Sequence, residues 1–375
     1  MKIGFDAKRI THNKTGLGNY GRFVVDSMAY YYPHNEYYLY TPRKGNEALY
    51  KQIASHANTF FRYPEGRFNQ ILPSLWRTKF LLSQLKRDEI QIYHGLSNEL
   101  PLGIGKSGIP SVVTIHDLIF LRYPHLYHPI DRCIYHFKFK QACLEANRII
   151  AVSQQTKEDI ISFFRIPADK IKVIYQGCDS AFYQPASEEQ KQQVQKKYAL
   201  TTPYLIYIGS IEERKNLLTL VKAYELLNNK DIHLVAVGRR TPYLNLIETY
   251  IREHQLEGQV QILTDVQYAD LPSLYQMASV FVYPSFFEGF GIPILEALAS
   301  NTPVIAATGS CLEEAGGEGS LYTDPHNPNQ LKDLIYEVLS YSTLADSMRK
   351  QGQIYAQRFS PDTLSAQMMH LYENL

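Results

Sequence analysis

Glu288 and Glu296 stand at the two ends of the segment EGFGIPILE. An ionised carboxylate accepts two hydrogen bonds side by side, the geometry that vicinal hydroxyls of a hexose or a ribose present. Between the two carboxylates, Gly289 and Gly291 flank Phe290 and let a ligand approach the main chain. Pro293 is positioned to begin a helix. A helix start offers unpaired N–H groups and a positive dipole end, which attract a phosphate. One phosphate site between two diol readers suits a nucleotide-sugar. Each glutamate has an ordinary alternative: Glu296, placed in the first helical turn, could complement the helix dipole, and Glu288 could be a solvated loop charge.

Other residues with chemical potential fall where strands are expected to end. His116 closes a predicted strand Ser111–His116 and precedes Asp117; His94 follows a predicted strand Ile90–Tyr93. Ligands of open α/β sheets sit beyond the carboxyl ends of the strands, so both imidazoles, and Asp6 after the first strand, are expected to face a crevice. A strand-end histidine can equally be structural. Ser153 reads as the N-cap of the helix beginning QQTKEDI. Gly16-Leu17-Gly18-Asn19-Tyr20-Gly21 fits G-x-G-x-x-G and raises a dinucleotide-dependent oxidoreductase. That fit is weakened by the ten or so residues separating the loop from the first strand, and by the absence of an acidic residue after the following strand at Tyr40-Thr41-Pro42. No D-x-D pair and no His/Asp/Glu cluster with metal spacing occurs in the sequence, so no metal and no cofactor beyond the nucleotide-sugar co-substrate is expected.

The elements that would position these groups alternate between short apolar runs and helical stretches, the signature of βα units with a parallel sheet. Strands are predicted at Lys2–Asp6, Tyr37–Tyr40, Ile90–Tyr93, Ser111–His116, Arg148–Val152 and Lys172–Tyr175. A second series follows at Tyr204–Ile208, His233–Val237, Val260–Leu263, Val280–Tyr283 and Pro303–Ala306. Between the series, Gln176–Lys197 holds Gly177, Pro185 and the polar run SEEQKQQVQKK, which suits a linker entering an exposed helix. A chain of 375 residues exceeds what one core usually supports. The prediction is two Rossmann-like domains divided near residue 180.

Composition narrows the function classes. Hydrophobic residues at 45% and charged residues at 20% belong to a folded protein and exclude a disordered one. A net charge of +1 excludes a global electrostatic footprint for nucleic acid, so any phosphate site must be local. Cys133, Cys143, Cys178 and Cys311 lack zinc or redox spacing and are expected as thiols. MKIGFDAKRI reads as a strand rather than a signal peptide, and no apolar window of about 18 residues is found. The expected location is cytoplasmic, with the inner face of the membrane as its furthest extension.

The motifs TGLGNYG, YHGLSNELP, VVTIHDLIFLRYP, RIIAVSQQTKEDI, YIGSIEERKNL and VYPSFFEGFGIPILEALASNTPVIA follow one another along nearly the whole chain. In this order they resemble the retaining glycosyltransferases of family four, with EGFGIPILE matching that family's E-x7-E motif. The resemblance implies the GT-B fold, an α/β architecture of two Rossmann-like domains facing across a cleft. Residues 1–180 would form the acceptor-binding domain and 181–360 the nucleotide-sugar domain, while the helix 361–375 could pack on either, including back on the first.

It also implies roles: Glu288 on the transferred sugar, Glu296 on the ribose, His116 near the sugar, and Arg214 with Lys215 on the donor diphosphate after the turn Gly209-Ser210. Gly16 and Gly18 would belong to a loop facing the donor phosphates. Thr264, Asp265 and Val266 would hold the nucleobase through main-chain groups. Many relatives carry arginine where this chain has Ser210, and Arg214 could take over that role. YHGLSNELP and ERKN resemble mannosyltransferase-like members from polysaccharide assembly, which points towards GDP-mannose and a glycan or lipid-linked saccharide acceptor. The aromatic and basic stretches FFRYPEGRFNQILPSLWRTKFLLSQLKR and LRYPHLYHPIDRCIYHFKFK could meet that acceptor or anionic lipid, or be half-buried helices with solvated basic faces. Rival readings are a nucleotide-sugar epimerase of the same architecture and a non-catalytic sugar-nucleotide-binding protein.

Overall fold

Thirteen short strands build two separate parallel sheets. The computed structural model describes the backbone of residues 1–375 and every side chain except those of Arg67 and Phe68. The first sheet comprises β1 (Lys2–Asp6), β2 (Glu36–Tyr40), β3 (Thr59–Arg62), β4 (Ile92–Gly95), β5 (Ser111–Ile115), β6 (Arg148–Ala151) and β7 (Ile171–Val173), in the order β3-β2-β1-β4-β5-β6-β7. The second comprises β8 (Tyr204–Ile208), β9 (His233–Val237), β10 (Val260–Leu263), β11 (Val280–Tyr283), β12 (Val304–Ala307) and β13 (Leu321–Thr323), in the order β10-β9-β8-β11-β12-β13. Every pairing is parallel; Phe5, for example, lies between Leu39 and His94. Runs such as YLIYI and VFVY are apolar throughout because both faces of a parallel sheet are covered.

The helices that matter below are α1 (Gly16–Tyr31), α2 (Pro129–Glu145), α3 (Gln154–Phe164), α4 (Leu217–Leu227), α5 (Ile292–Ala299) and α6 (Pro361–Glu373). Strand order reverses between β1 and β4 in one sheet and between β8 and β11 in the other. Such switch points leave a crevice beyond the carboxyl ends of the two strands, where ligands of doubly wound sheets bind.

The chain divides into two compact units, Met1–Gly177 with Pro361–Leu375, and Cys178–Ser360. The last helix therefore belongs to the first unit: α6 packs on α1, burying Leu364, Met368, Met369 and Tyr372. Several sequence expectations are corrected. Two strands, β3 and β13, were not anticipated, because TFFR and LYT are short and half-buried and carry no clear alternation. The predicted strand at Ile90 begins instead at Ile92 and runs through His94 and Gly95, which places His94 inside the sheet. Gly16 and Gly18 lie in the opening turn of α1, not in a loop. In the aromatic stretch beginning at Phe60, the side chains of Arg67 and Phe68 fall outside the described residues.

Candidate functional site

Strands β8 and β11 both run out into loops at the switch point of the second sheet. After β11 the chain passes through Pro284–Phe290 and enters α5 with Gly291 as N-cap, at φ +115°. Only glycine adopts this conformation without strain, and a Cβ here would press to 3.0 Å from Leu312. After β8 the chain makes one 3₁₀ turn, Glu213–Lys215, and enters α4 through Asn216 in the left-handed region. The two loops are stitched together. The Asn216 side-chain amide donates to the carbonyls of Pro284 (3.0 Å) and Pro325 (2.7 Å), and Phe286 N donates to the Arg214 carbonyl at 2.9 Å.

The stitching brings Arg214 and Lys215 onto Glu288. Arg214 Nη1 lies 2.9 Å and Lys215 Nζ 3.2 Å from Glu288 Oε1, and the same oxygen accepts from Ser285 Oγ (2.8 Å) and Tyr283 OH (3.0 Å). Arg214 also donates to the Phe287 carbonyl. Lys215 Nζ donates to Tyr283 OH at 2.6 Å. Burial alone would raise the Glu288 pKa; the charges of Arg214 and Lys215 and the hydrogen bonds outweigh it and hold the carboxyl at about 2. Glu288 is thus a carboxylate ionised at neutral pH and only 12% exposed, and the reading of it as a solvated loop charge is excluded. The cations are likewise not an exposed helix-start pair, each being 14% exposed.

Glu296 behaves oppositely. It sits in the second turn of α5, one residue beyond the expected first turn, and is 5% exposed. Burial, with Asp179 adding to it and a Tyr275 hydrogen bond opposing it, raises its pKa to about 8. Tyr275 OH is 3.1 Å from Glu296 Oε2 and 3.2 Å from the Pro293 carbonyl.

Among the other predicted residues of this unit, Phe290 is a core side chain, 2% exposed and packed on Phe359 at 5.6 Å. Cys311 Sγ donates to the carbonyls of Glu288 (3.0 Å) and Phe290 (3.3 Å) and fixes the loop from behind. Gly289 is half-buried between them. Gly209 bonds back to Val237 and lies under the Lys215 stem, where a Cβ would be 3.3 Å from Lys215 Cδ. Val266 is half-buried beyond β10, beside exposed Asp265.

In the first unit, His116 follows β5 as expected but is 5% exposed, and both its ring nitrogens are engaged. Nε2 donates to the Leu96 carbonyl at 2.8 Å, and Nδ1 accepts from Gln176 at 2.8 Å. Burial lowers its pKa to about 4, so the ring is neutral at pH 7. His94 is not a crevice residue: it is fully buried between Tyr372 OH (2.6 Å) and Thr114 Oγ1 (2.8 Å). Asp6 is held by Arg77 at 3.0 Å. Ser153 caps α3 by accepting from Thr156 N, as read from the sequence. A Cβ on Gly18 would meet the Asn13 carbonyl at 2.0 Å, so this glycine serves a close helix contact; at Gly16 a Cβ would meet nothing within 4 Å. Sequence reasoning missed Tyr283, Ser285, Asn216 and Cys311; Asn216 and Cys311 act on distant main-chain carbonyls and leave no pattern.

Residues 186–355 match the family described as glycosyl transferases group 1, and residues 24–182 match glycosyltransferase family 4. The chain is 30% identical to the O-antigen chain mannosyltransferase B of Escherichia coli, covering 100% of both proteins. It is 27% identical to the O-antigen chain mannosyltransferase RfbU of Salmonella typhimurium over 60% of each. Among solved structures, a glycosyltransferase from Rickettsia africae superposes with a TM-score of 0.79 at 18% identity, covering 100% of this chain and 98% of that one. HepE of Anabaena in complex with UDP superposes at 0.78 and 19%, covering 100% of both. These likenesses show the GT-B fold. With the full-length relative and both halves of the chain matched, the protein belongs to glycosyltransferase family four.

Proposed function

We propose that this glycosyltransferase moves mannose, with retention of anomeric configuration and without a metal, from a nucleoside-diphosphate-mannose to a glycan or lipid-linked saccharide in surface polysaccharide synthesis. The observation that carries the reading is the buried Glu288 carboxylate with the Arg214 and Lys215 cations upon it at the β8/β11 switch point. The names of the E. coli and Salmonella relatives support mannose and a surface glycan.

In this reading Glu288 accepts hydrogen bonds from the sugar hydroxyls, and Glu296, able to donate as well as accept, holds the ribose. Arg214 and Lys215 stabilise the departing diphosphate; the Arg214 guanidinium serves where many relatives carry arginine at the Ser210 position. Charge-assisted bonds of this kind are worth roughly 1.5–3 kcal/mol each, and more against charge that develops in the transition state. The acceptor oxygen attacks the anomeric carbon on the face from which the diphosphate leaves, and the departing β-phosphate oxygen takes the acceptor's proton. The protein then supplies positioning and electrostatic stabilisation. Main-chain groups at Val266 hold the base, His116 borders the sugar, and the main chain at Gly16 and Gly209 borders the phosphates. The first unit binds the acceptor. No helix among the described residues is long and apolar enough to cross a membrane, and the proposed workplace is the cytoplasm, up to the inner membrane face.

The test is incubation with a panel of UDP-, GDP- and ADP-sugars followed by mass spectrometry. Slow hydrolysis of GDP-mannose in preference to the others is expected, lost in Glu288→Gln while nucleoside diphosphate still binds. Release of an epimerised sugar-nucleotide without any acceptor, or full activity of the variant, overturns the reading.

A further inference from the structure

The donors that converge on Glu288 Oε1 are of two kinds. Arg214 Nη1 (2.9 Å) and Lys215 Nζ (3.2 Å) are cations, whereas Ser285 Oγ (2.8 Å) and Tyr283 OH (3.0 Å) are neutral hydroxyls. The other oxygen, Oε2, takes no hydrogen bond among the described residues and is not a sealed interior atom. Oε1 therefore fixes the carboxylate, and Oε2 is left to read a ligand. An incoming diphosphate draws on the cations and not on the hydroxyls. Lys215 can answer that pull without leaving its place: an ammonium has three N–H donors, and Glu288 Oε1 and Tyr283 OH (2.6 Å) occupy two of them.

Tyr283 is placed to hold this arrangement still. It is the last residue of β11, fully buried, in register with Ala306 of β12, and its ring lies 5.7 Å from that of Phe281 and 6.0 Å from that of Tyr207. The sheet and the neighbouring rings thus set where its hydroxyl sits. Lys215 Nζ lies 5.3 Å from the centre of the same ring, within cation–π reach, so a flexible stem is ordered before any ligand arrives. Burial, and after it the Glu288 charge, pushes the phenol well above its ordinary range, so Tyr283 keeps its one hydrogen. That hydrogen goes to Glu288 Oε1, and the oxygen accepts from Lys215. A phenylalanine would fill the same space and do neither.

We infer that Tyr283, seconded by Ser285, is a positioning residue for sugar transfer: its hydroxyl holds Glu288 in place while Lys215 turns its remaining N–H to the leaving diphosphate. This rests on the reading of Glu288 as the sugar contact and Lys215 as a diphosphate contact, and adds the group that couples them. Misplacing a group by about 1 Å at a reacting centre costs up to about 100-fold in rate. The loss of the Tyr283 hydroxyl is therefore felt in turnover and not in the binding of the donor.

The test uses the full-length enzyme with GDP-mannose, or with whichever sugar of the UDP-, GDP- and ADP-panel it turns over. Tyr283→Phe is expected to lower kcat about 10- to 100-fold, the scale of one hydrogen bond to a charged group, while the donor KM stays within about twofold. The matching nucleoside diphosphate should bind the variant by calorimetry with unchanged affinity and at one per chain. Ser285→Ala, which removes the other neutral donor, should show the same split to a smaller extent and serves if Tyr283→Phe does not fold. Unchanged kcat in the variant that folds, a rise in KM alone, or a fall in kcat matched by an equal fall in the fraction of chains that bind nucleoside diphosphate overturns the inference. A wild-type enzyme that turns over no sugar of the panel, or a fully active Glu288→Gln, overturns the proposed function and this inference with it. An inactive Glu288→Gln beside an unimpaired Tyr283→Phe removes the role of Tyr283 alone.

Discussion

At neutral pH Glu296 keeps its proton while Glu288, eight positions earlier, does not. The same burial acts on both; the difference is the pair of cations that reaches Glu288 and not Glu296. This has a consequence for stability. Glu296 has a folded pKa of about 8, above its unfolded value near 4.5, so the folded state binds more protons between the two. Its contribution is complete below the unfolded pKa and is lost as pH rises through 8. Glu296→Gln should remove that loss, and the gap between variant and parent should widen in the variant's favour by up to about 4 kcal/mol from pH 5 to pH 9. Urea unfolding at the two pH values measures it, and parallel curves would show the carboxyl to be ionised in the folded protein. Glu288, Arg214 and Lys215 were legible because a strand end, a glycine turn and a helix start are local patterns. Tyr283 and Asn216 were not, because their work is done across 68 residues of chain, on Lys215 and Pro284 respectively.

At the scale of elements, the two ends of the glycine motif in α1 do different things. Gly18 allows α1 to pass against the Asn13 carbonyl, whereas Gly16 borders open space. Gly18→Ala is expected to cost roughly 1–3 kcal/mol, the usual penalty for forcing atoms into a packed contact. Gly16→Ala should keep or slightly raise the melting temperature, since alanine is the better helix former. If the Gly16 main chain meets the donor phosphates, Gly16→Ala will raise the donor KM despite normal stability; an unchanged KM assigns the motif to packing alone. The sequence pattern G-x-G-x-x-G suggested a loop because glycine pairs usually mark one. What overrode it is Thr15 at the N-cap position and the buried row Tyr20, Val24, Val25 and Met28, which is a helical repeat. Strand β4 was misplaced by two residues for a similar reason: the histidine within IYHG reads as polar, yet in the fold it is matched to Thr114 and Tyr372, partners supplied by β5 and α6.

At the scale of the whole molecule, the two sheets and the division between Gly177 and Cys178 follow from the alternation of apolar runs, which is why the architecture was readable early. Which unit receives the last helix was not, since Leu364, Met368 and Tyr372 would suit any apolar surface; the deciding contact is the Tyr372 hydroxyl on His94 Nδ1. Tyr372→Phe leaves that buried nitrogen without its partner and should destabilise the first unit by about 1–3 kcal/mol. Calorimetry resolving two transitions should show the loss in one of them, and a uniform shift of both would mean that the units do not unfold separately.

The path of the chain has one more consequence. Residues 361–375 complete a body whose other 177 residues are made first, with the whole second unit synthesised in between. While the ribosome is still extending the chain, the α1 face that α6 will cover is bare, and His94 has its hydrogen bond to Thr114 but not the one to Tyr372. The second unit is contiguous and can close as soon as it emerges. The first unit to be translated is therefore the last to be finished, and a nascent chain stalled before Pro361 would present an exposed apolar stripe to chaperones and proteases.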